Sequence, residues 1–115
     1  MHPSSETTTV NLAASCAALT AAWSPSVVAD VNDMQVKVAR FEGAFVWHHH
    51  DHEDELFLGV EGTFVIEFED RPNVRVGPGE LVVVPRGVRH RPVAEEGPVH
   101  VALFEKSSTN RTGDA

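Results

Sequence analysis

Short alternating apolar runs, separated by turns that contain glycine or proline, fill the chain from residue 34 to residue 105. In the run at 63–69, Phe64, Ile66 and Phe68 share one face, which is the pattern of a strand with one buried face. The run at 81–84 is wholly apolar and predicts a central strand. Many short strands with regularly spaced turns predict an all-β fold, a jelly roll or closed β-barrel. The remaining predicted strands are residues 34–41, 44–50, 55–60, 74–76 and 99–105.

The first 33 residues carry a helical pattern instead. Apolar residues recur from Leu12 to Trp23 at spacings of four, three and four, which predicts a helix with Asn11 as its cap and Pro25 as its end. We expect this helix to pack on the outside of the sheet or against a second subunit, and we interpret residues 26–31 as a connector. The predicted division is an N-terminal arm with the helix (1–33), a barrel (34–105) and a polar C-terminal tail (106–115).

Three consecutive histidines stand in the middle of the chain. His48 and His50 are two residues apart, so they project from the same face of a β-strand, whereas His49 projects from the other face. Glu55 opens the next apolar run, and the polar segment 51–54 is short enough to turn that run back beside the histidines. Two imidazoles and one carboxylate are therefore expected to converge.

A fourth candidate ligand, His90, lies far along the chain, after a tight corner at 85–87 that aims it inward. Imidazole nitrogen and carboxylate oxygen suit Fe, Mn, Ni, Cu, Co or Zn, and three histidines with one glutamate leave two positions of an octahedron open. Open positions indicate chemistry or ligand binding rather than a closed structural site. The alternative is a solvated or pH-responsive histidine loop, which the shared face of His48 and His50 disfavours. We expect one divalent transition metal ion, with Fe, Mn, Ni or Zn as candidates.

The other histidines lack such partners in the pattern. We expect His49 and His52 to lie at the surface or at the rim of the site, and His100 to be an ordinary histidine of a late strand.

These residues resemble the two sequence motifs of the cupin superfamily. The first motif, Gly, five residues, His-x-His, three or four residues, Glu, six residues, Gly, is matched by Gly43, His48, His50, Glu55 and Gly62. The second motif, Gly, five residues, Pro-x-Gly, two residues, His, three residues, Asn, is matched by Gly79, Pro85, Gly87 and His90. Two departures stand out: Gly43 is one residue closer to the histidines than the motif has it, and Ala94 replaces the asparagine.

More closely, FVWHHHDHEDELFL and VVPRGVRHRPVAEE resemble a group of small single-domain bacterial cupins described as similar to mannose-6-phosphate isomerase. The resemblance implies a double-stranded β-helix with a metal ion held by His48, His50, Glu55 and His90. It also implies a homodimer, for which we expect a second copy to cover apolar residues of the barrel. The candidates are Trp23, Leu56 and Leu58.

Composition limits the partners and the compartment. The net charge is -8, so the phosphate backbone of a nucleic acid or an anionic membrane surface would be repelled. Cys16 is the single cysteine, which fits a reducing compartment, and we expect a cytoplasmic location. The alanine-rich segment near the N-terminus has no basic residue before it, because the first lysine or arginine is Lys37, so it does not resemble a signal peptide.

Two functions remain open from the sequence. The first is a metal-dependent enzyme, isomerase-like or dioxygenase-like, whose small substrate binds the metal through two oxygens and for which Glu55 is both a ligand and a candidate proton acceptor. The second is a non-catalytic module that binds a small ligand or a metal. Phosphosugar substrates need cationic anchors, and only Lys37 and Arg89 are candidates for that role.

Overall fold

Residues 7–114, which the computed structural model describes, form one helix and seven strands. The helix α1 spans Leu12–Ala17, and the strands are β1 (Ser26–Val31), β2 (Met34–Ala44), β3 (Glu55–Glu61), β4 (Phe64–Phe68), β5 (Val74–Val76), β6 (Leu81–Val84) and β7 (His90–Lys106). The predicted all-β fold with a short N-terminal helix is therefore confirmed. Within the same residues, no helix is long and apolar enough to cross a membrane.

Strand β7 organises the sheet because it is long enough to pair with three other strands. Its second half lies between β2 and β3, and its first half pairs with β4 as well as with the end of β2. Strand β1 pairs with β2, β6 with β3 and β5 with β4, and all these pairs are antiparallel. The change of partners along β7 folds the sheet over on itself, which is how a jelly roll encloses a core.

The core inside the folded sheet is built mainly from aromatic and β-branched side chains. Phe64 and Ile66 are almost completely buried and Phe68 is 9% exposed, as their shared face predicts. The ring of Phe41 meets those of Phe57 and Phe64 edge-on, with centroids 6.3 and 5.5 Å apart. Each such side chain contributes about 1.5–3 kcal/mol by leaving water, so this cluster holds the two halves of the sheet together.

Two predictions for the N-terminal region are wrong. The helix ends at Ala17 rather than near Pro25, and β1 replaces the predicted connector. The backbone N–H of Trp23 donates to the carbonyl of Arg40 at 2.9 Å, and the Trp23 ring stacks on Phe41. These contacts with β2 outweigh the helix propensity of the alanine-rich segment.

Helix α1 packs on the outside of the sheet, as one of the two predicted arrangements has it. The side chain of Asn11 caps the helix by accepting a hydrogen bond from the N–H of Ala14 at 2.9 Å. The helix contacts β2, β3 and β7, and Cys16 is completely buried there. Val38 and Ala102, which alternate with core residues along β2 and β7, are buried on this outer face.

Strand β6 is an edge strand rather than the predicted central strand. Among the described residues it pairs with β3 alone. Val84 is buried, whereas Leu81 and Val83 are 58% and 48% exposed. The apolar run correctly indicated a strand but not its place in the sheet, because composition does not encode the order of the strands.

Candidate metal centre

The four predicted ligands come from three separate parts of the fold. His48 and His50 lie in the loop between β2 and β3, Glu55 is the first residue of β3, and His90 is the first residue of β7. The predicted strand at 44–50 is therefore wrong beyond its first residue. Two backbone hydrogen bonds nevertheless hold the loop extended beside β7, from His48 N to His90 O at 3.0 Å and from His90 N to His48 O at 2.9 Å.

The alternation of faces holds for the histidines but not for the residues before them. His48 and His50 are buried, while the side chain of His49 is 29% exposed. Val46, predicted to share the face of His48, is 53% exposed, and the ring of Phe45 meets the His48 ring edge-on at 5.4 Å instead. The extended backbone at His48 is local, so the two-residue period does not reach back to Val46.

The structure brings the four predicted ligands into one buried cluster. One potential ligand atom from each of His48, His50, Glu55 and His90 lies within 4.8 Å of the others. The Oε1 atom of Glu55 is 3.3 Å from Nε2 of His50 and 3.5 Å from Nε2 of His90. The exposed fraction of each residue is 7% or less.

Hydrogen bonds from the outer ring nitrogens orient two of the imidazoles. Nδ1 of His48 lies 2.9 Å from the carbonyl oxygen of Val46, and Nδ1 of His90 lies 2.9 Å from that of Val88. A carbonyl only accepts, so Nδ1 carries the hydrogen in both rings and Nε2 keeps a free lone pair. Histidines that ligate metal ions in proteins are commonly held in this way.

The inner atoms of the cluster lack the partners that buried polar atoms normally have. Among the described residues, no hydrogen bond reaches Nε2 of His50, Nε2 of His90 or Oε1 of Glu55. Imidazole nitrogens and a carboxylate oxygen are the donor set of a first-row transition metal ion. The cluster therefore fits a metal site, while the donor set alone leaves the identity of the metal open.

The other histidines that the structure describes lie outside this cluster. Nε2 of His49 pairs with Asp51 at 3.0 Å in the loop, His52 is exposed, and Nδ1 of His100 lies 3.8 Å from Glu61. Their placement agrees with the prediction that they are rim, surface and sheet residues.

Burial and the Glu55 carboxylate shift the protonation of the cluster. Burial lowers the pKa of His48 to about 4. Burial acts in the same direction on His50, but the Glu55 carboxylate, 3.3 Å away, outweighs it and raises the pKa of His50. For Glu55, burial works to raise the pKa, but the adjacent imidazoles of His50 and His90 lower it on balance.

The sequence did not predict a buried ion pair behind Glu55. Nζ of Lys37 lies 2.9 Å from Oε1 of Glu105, with side chains only 15% and 4% exposed. Burial, followed by the neighbouring Glu55, raises the pKa of Glu105. The available signal was parity, because Lys37 lies on the same face of β2 as the core residue Phe41, and Glu105 lies on the same face of β7 as Leu103. The opposite face of β2 is the more apolar one, so parity alone could not identify the inner face.

A cleft opens from the cluster between the sheet and the C-terminal segment. It encloses about 430 Å³ between atoms, including its open mouth. The ring of Trp23 stacks between those of Phe41 and Phe45, with centroids 4.5 and 4.7 Å away. Trp23 thus forms a wall of the cleft rather than part of an outer apolar surface. The lining also includes Lys37, His48, Glu55, Phe57, Glu105 and Arg111.

The C-terminal segment folds over this same chain. The N–H of Asp114 donates to the carbonyl of His49 at 2.8 Å, and the Asp114 carboxylate accepts from the N–H of Asp51 at 2.7 Å. Gly113 lies so close to the loop that a Cβ there would come within 2.6 Å of the His48 side chain. The tail therefore packs against the loop that carries two of the clustered histidines.

Comparison with known proteins agrees with this geometry. A family model described as a cupin domain matches residues 34–104. The crystal structure of a cupin-2 domain containing protein from Shewanella frigidimarina is 38% identical in sequence and covers 84% of this chain and 93% of its own, with a TM-score of 0.80. Protein NMB1881 from Neisseria meningitidis is 31% identical and covers 87% and 100%, with a TM-score of 0.78.

A curated relative gives a shorter match. The uncharacterized protein YdbB of Bacillus subtilis is 38% identical over 64 residues, which is 56% of this chain. The matched region spans 57% of the length of that protein.

Proposed function

The chain belongs to the cupin domain family, and from that premise we propose that it is a metal-dependent enzyme acting on a small, oxygen-rich substrate. One observation carries the proposal: four buried ligand atoms lie within 4.8 Å of one another, and two of their residues line an aromatic cleft. His48, His50 and His90 would present ring nitrogens and Glu55 a carboxylate oxygen to one divalent transition metal ion. Such an ion polarises a substrate oxygen or, if it is redox-active, activates dioxygen.

The chain's own residues hold the site and exclude water from it. The carbonyls of Val46 and Val88 fix the rings of His48 and His90 with Nε2 toward the centre. The aromatic side chains of the cleft form a low-dielectric wall, which strengthens every electrostatic interaction inside.

Glu55 is the proposed proton acceptor as well as a ligand. The carboxyl of Glu105 lies beside it, and Oε2 of Glu105 lacks a hydrogen-bond partner among the described residues. Lys37 holds the other oxygen of Glu105 in place at 2.9 Å, so the second carboxyl stays beside Glu55. Proton transfer at Glu55 is the step that either an isomerase or a dioxygenase could use.

Metal content tests the site directly. We expect wild-type protein to carry about one transition metal ion per chain, and we expect His50→Ala and His90→Ala to lose it because each removes one ligand of a four-residue site. His49→Ala and His52→Ala are matched controls, since both remove a neighbouring imidazole outside the cluster. Elemental analysis of the five proteins is the measurement. Equal metal in all five, or loss only in the controls, would contradict the site.

A separate experiment is needed to identify the class of reaction. Sugars, keto acids, diketones and flavonol-like compounds would be screened against the Fe, Mn, Ni and Zn forms of the protein. Oxygen consumption would assign a dioxygenase, and interconversion without oxygen an isomerase. Binding that perturbs the metal spectrum without turnover would assign the alternative, a non-catalytic ligand-binding module. Full activity in folded, metal-free His90→Ala protein would refute metal-dependent catalysis.

Within these classes, a mannose-6-phosphate isomerase-like reaction has the weaker support. Arg89, one of the two cations considered from the sequence, pairs with Glu69 on the surface. Lys37 does line the cleft, but its charge is already matched by Glu105. A phosphate dianion would thus depend on Arg111, which the sequence pattern did not indicate.

We also propose a homodimer and a cytoplasmic location. Leu56 pairs in register with Val83, and Leu58 with Leu81, so the four side chains form one apolar patch on the outer face of β3 and β6. A second copy of the chain is the proposed cover of this patch.

The cytoplasmic location rests on Cys16, a buried free thiol in a chain with one cysteine. Cell fractionation tests the compartment.

A further inference from the structure

Trp23 holds one wall of the cleft in an unusual backbone conformation. Its φ of 60° lies in the left-handed region, which bulky residues rarely adopt and which persists only where surrounding contacts enforce it. Its backbone N–H donates to Arg40 O at 2.9 Å and its indole N–H to Glu42 O at 3.0 Å. Together with stacking on Phe41 and Phe45, these bonds fix both the ring and the peptide group that follows it.

That peptide group positions a cation of the C-terminal segment. The carbonyl oxygen of Trp23 accepts a hydrogen bond from Nη1 of Arg111 at 3.2 Å. From the other side, the segment is tied to the histidine loop through Asp114, which bonds to His49 and Asp51. Arg111 is thereby placed in the lining of the cleft.

Arg111 is the cation of the cleft whose charge is not matched. Within residues 7–114 its hydrogen bond goes to a neutral carbonyl, whereas Lys37 is paired with Glu105. A divalent ion in the cluster would carry more charge than Glu55 alone neutralises. The cleft is then positive in a chain whose net charge is -8, and a cleft with low-dielectric walls concentrates ligands of the opposite sign.

We infer that Arg111 recognises the anionic group of the substrate, and that the substrate is a small, flat carboxylate with a second oxygen at the metal centre. This inference rests on the proposed function. One guanidinium offers two parallel donors that match a carboxylate, whereas a phosphate ester brings more oxygens and more charge than one arginine satisfies. The body is expected to be aromatic or conjugated because the cleft is lined by aromatic rings, which favour stacked or edge-on contact with another ring.

Paired probes that differ only in charge test the inference. 3-Hydroxybenzoate and 3-hydroxybenzamide have the same shape and the same hydroxyl group, and only the first is an anion. Isothermal titration would measure both on metal-containing wild type, Arg111→Gln, Arg111→Lys and Arg71→Gln. The last variant is the matched control, because Arg71 pairs with Asp70 on the surface and does not line the cleft.

Wild type should prefer the benzoate by about 5-fold, because Arg111 is exposed and an exposed charge pair is worth up to about 1 kcal/mol. Arg111→Gln should reduce that preference by weakening the benzoate alone, Arg111→Lys should reduce it less, and Arg71→Gln should behave as wild type. Equal weakening of both probes, unchanged benzoate binding in Arg111→Gln, or the lack of a preference in wild type would each overturn the role of Arg111.

Metal analysis of the same samples separates this inference from the proposed function. If wild type holds its metal ion but shows no preference for the anion, only the role of Arg111 is overturned, and the proposed function is not. Wild type that holds no metal ion contradicts the proposed function, whatever its preference between the two probes.

Discussion

His48 and His50 face the same centre, and yet their pKa values are shifted in opposite directions. Burial lowers the pKa of His48 to about 4, whereas Glu55 overcomes burial and raises the pKa of His50. In the metal-free protein, His50 therefore holds a proton more readily than His48, and a metal ion must displace that proton. Metal affinity is accordingly expected to fall as the pH drops below about 6.

The lowered pKa of His48 predicts a loss of stability in acid for the metal-free protein. As the pH falls below 6.5, the unfolded chain gains a proton at His48 while the folded chain does not until about pH 4. Stability from this residue is thus present above pH 6.5 and is lost as the pH falls toward 4. In urea unfolding, the free energy of unfolding of the wild type should fall between pH 7 and pH 4.5. About 2 kcal/mol of that fall should be absent in His48→Asn. His52→Asn, an exposed control, should keep the wild-type loss, and identical curves for wild type and His48→Asn would refute the prediction.

Single residues of the candidate site were predictable to different degrees. His48, His50, Glu55 and His90 were found because their order, spacing and parity all pointed to one cluster, which the structure contains. Of the lining residues, Lys37 was only a candidate cationic anchor, and Glu105 and Arg111 were not assigned. Their roles depend on which face of a strand turns inward and on where the tail docks, and neither is encoded in local alternation.

At the scale of the elements, alternation and turn residues predicted most strands, because each of these signals is local. The missed features are those that depend on distant contacts. Strand β1 exists because β2 offers it a partner, and α1 stops at Ala17 because Trp23 is drawn into the cleft wall. The loop at 45–50 is extended only where it bonds to β7. Tertiary pairing decided each of these outcomes.

Gly59 in β3 provides an element-scale prediction. A Cβ at this position would overlap the carbonyl oxygen of Gly77, because the turn after β5 lies directly against the strand. Gly59→Ala should therefore lower the free energy of unfolding by about 2–3 kcal/mol through overpacking. The matched control is Gly79→Ala in the same turn, where φ is +79° but the Cβ meets open space, and a loss of about 1 kcal/mol is expected. Chemical denaturation measures both, and a smaller loss in Gly59→Ala than in Gly79→Ala would contradict the close approach.

At the scale of the whole molecule, the two faces of the sheet have different roles. The inner face carries the core and, at one end, the metal cluster and its cleft. The outer face is covered by α1 over Val38 and Ala102, but it remains apolar and open along β6. An edge strand with exposed apolar side chains is a site for association with another chain.

The patch formed by Leu56, Leu58, Leu81 and Val83 predicts that two copies associate through this face. Closed two-fold pairing is the commonest arrangement of soluble oligomers, and it buries the same patch twice. Light scattering should give twice the chain mass of 12.5 kDa at micromolar concentration. The double substitution Leu81→Glu and Val83→Glu should give the single-chain mass, because both sites are already half exposed in one copy and carboxylates would be desolvated only in the pair. Val31→Glu changes another exposed valine, 46% exposed on β1, and should remain dimeric. A wild-type mass of 12.5 kDa, or a doubly substituted protein that stays dimeric, would rule out this interface.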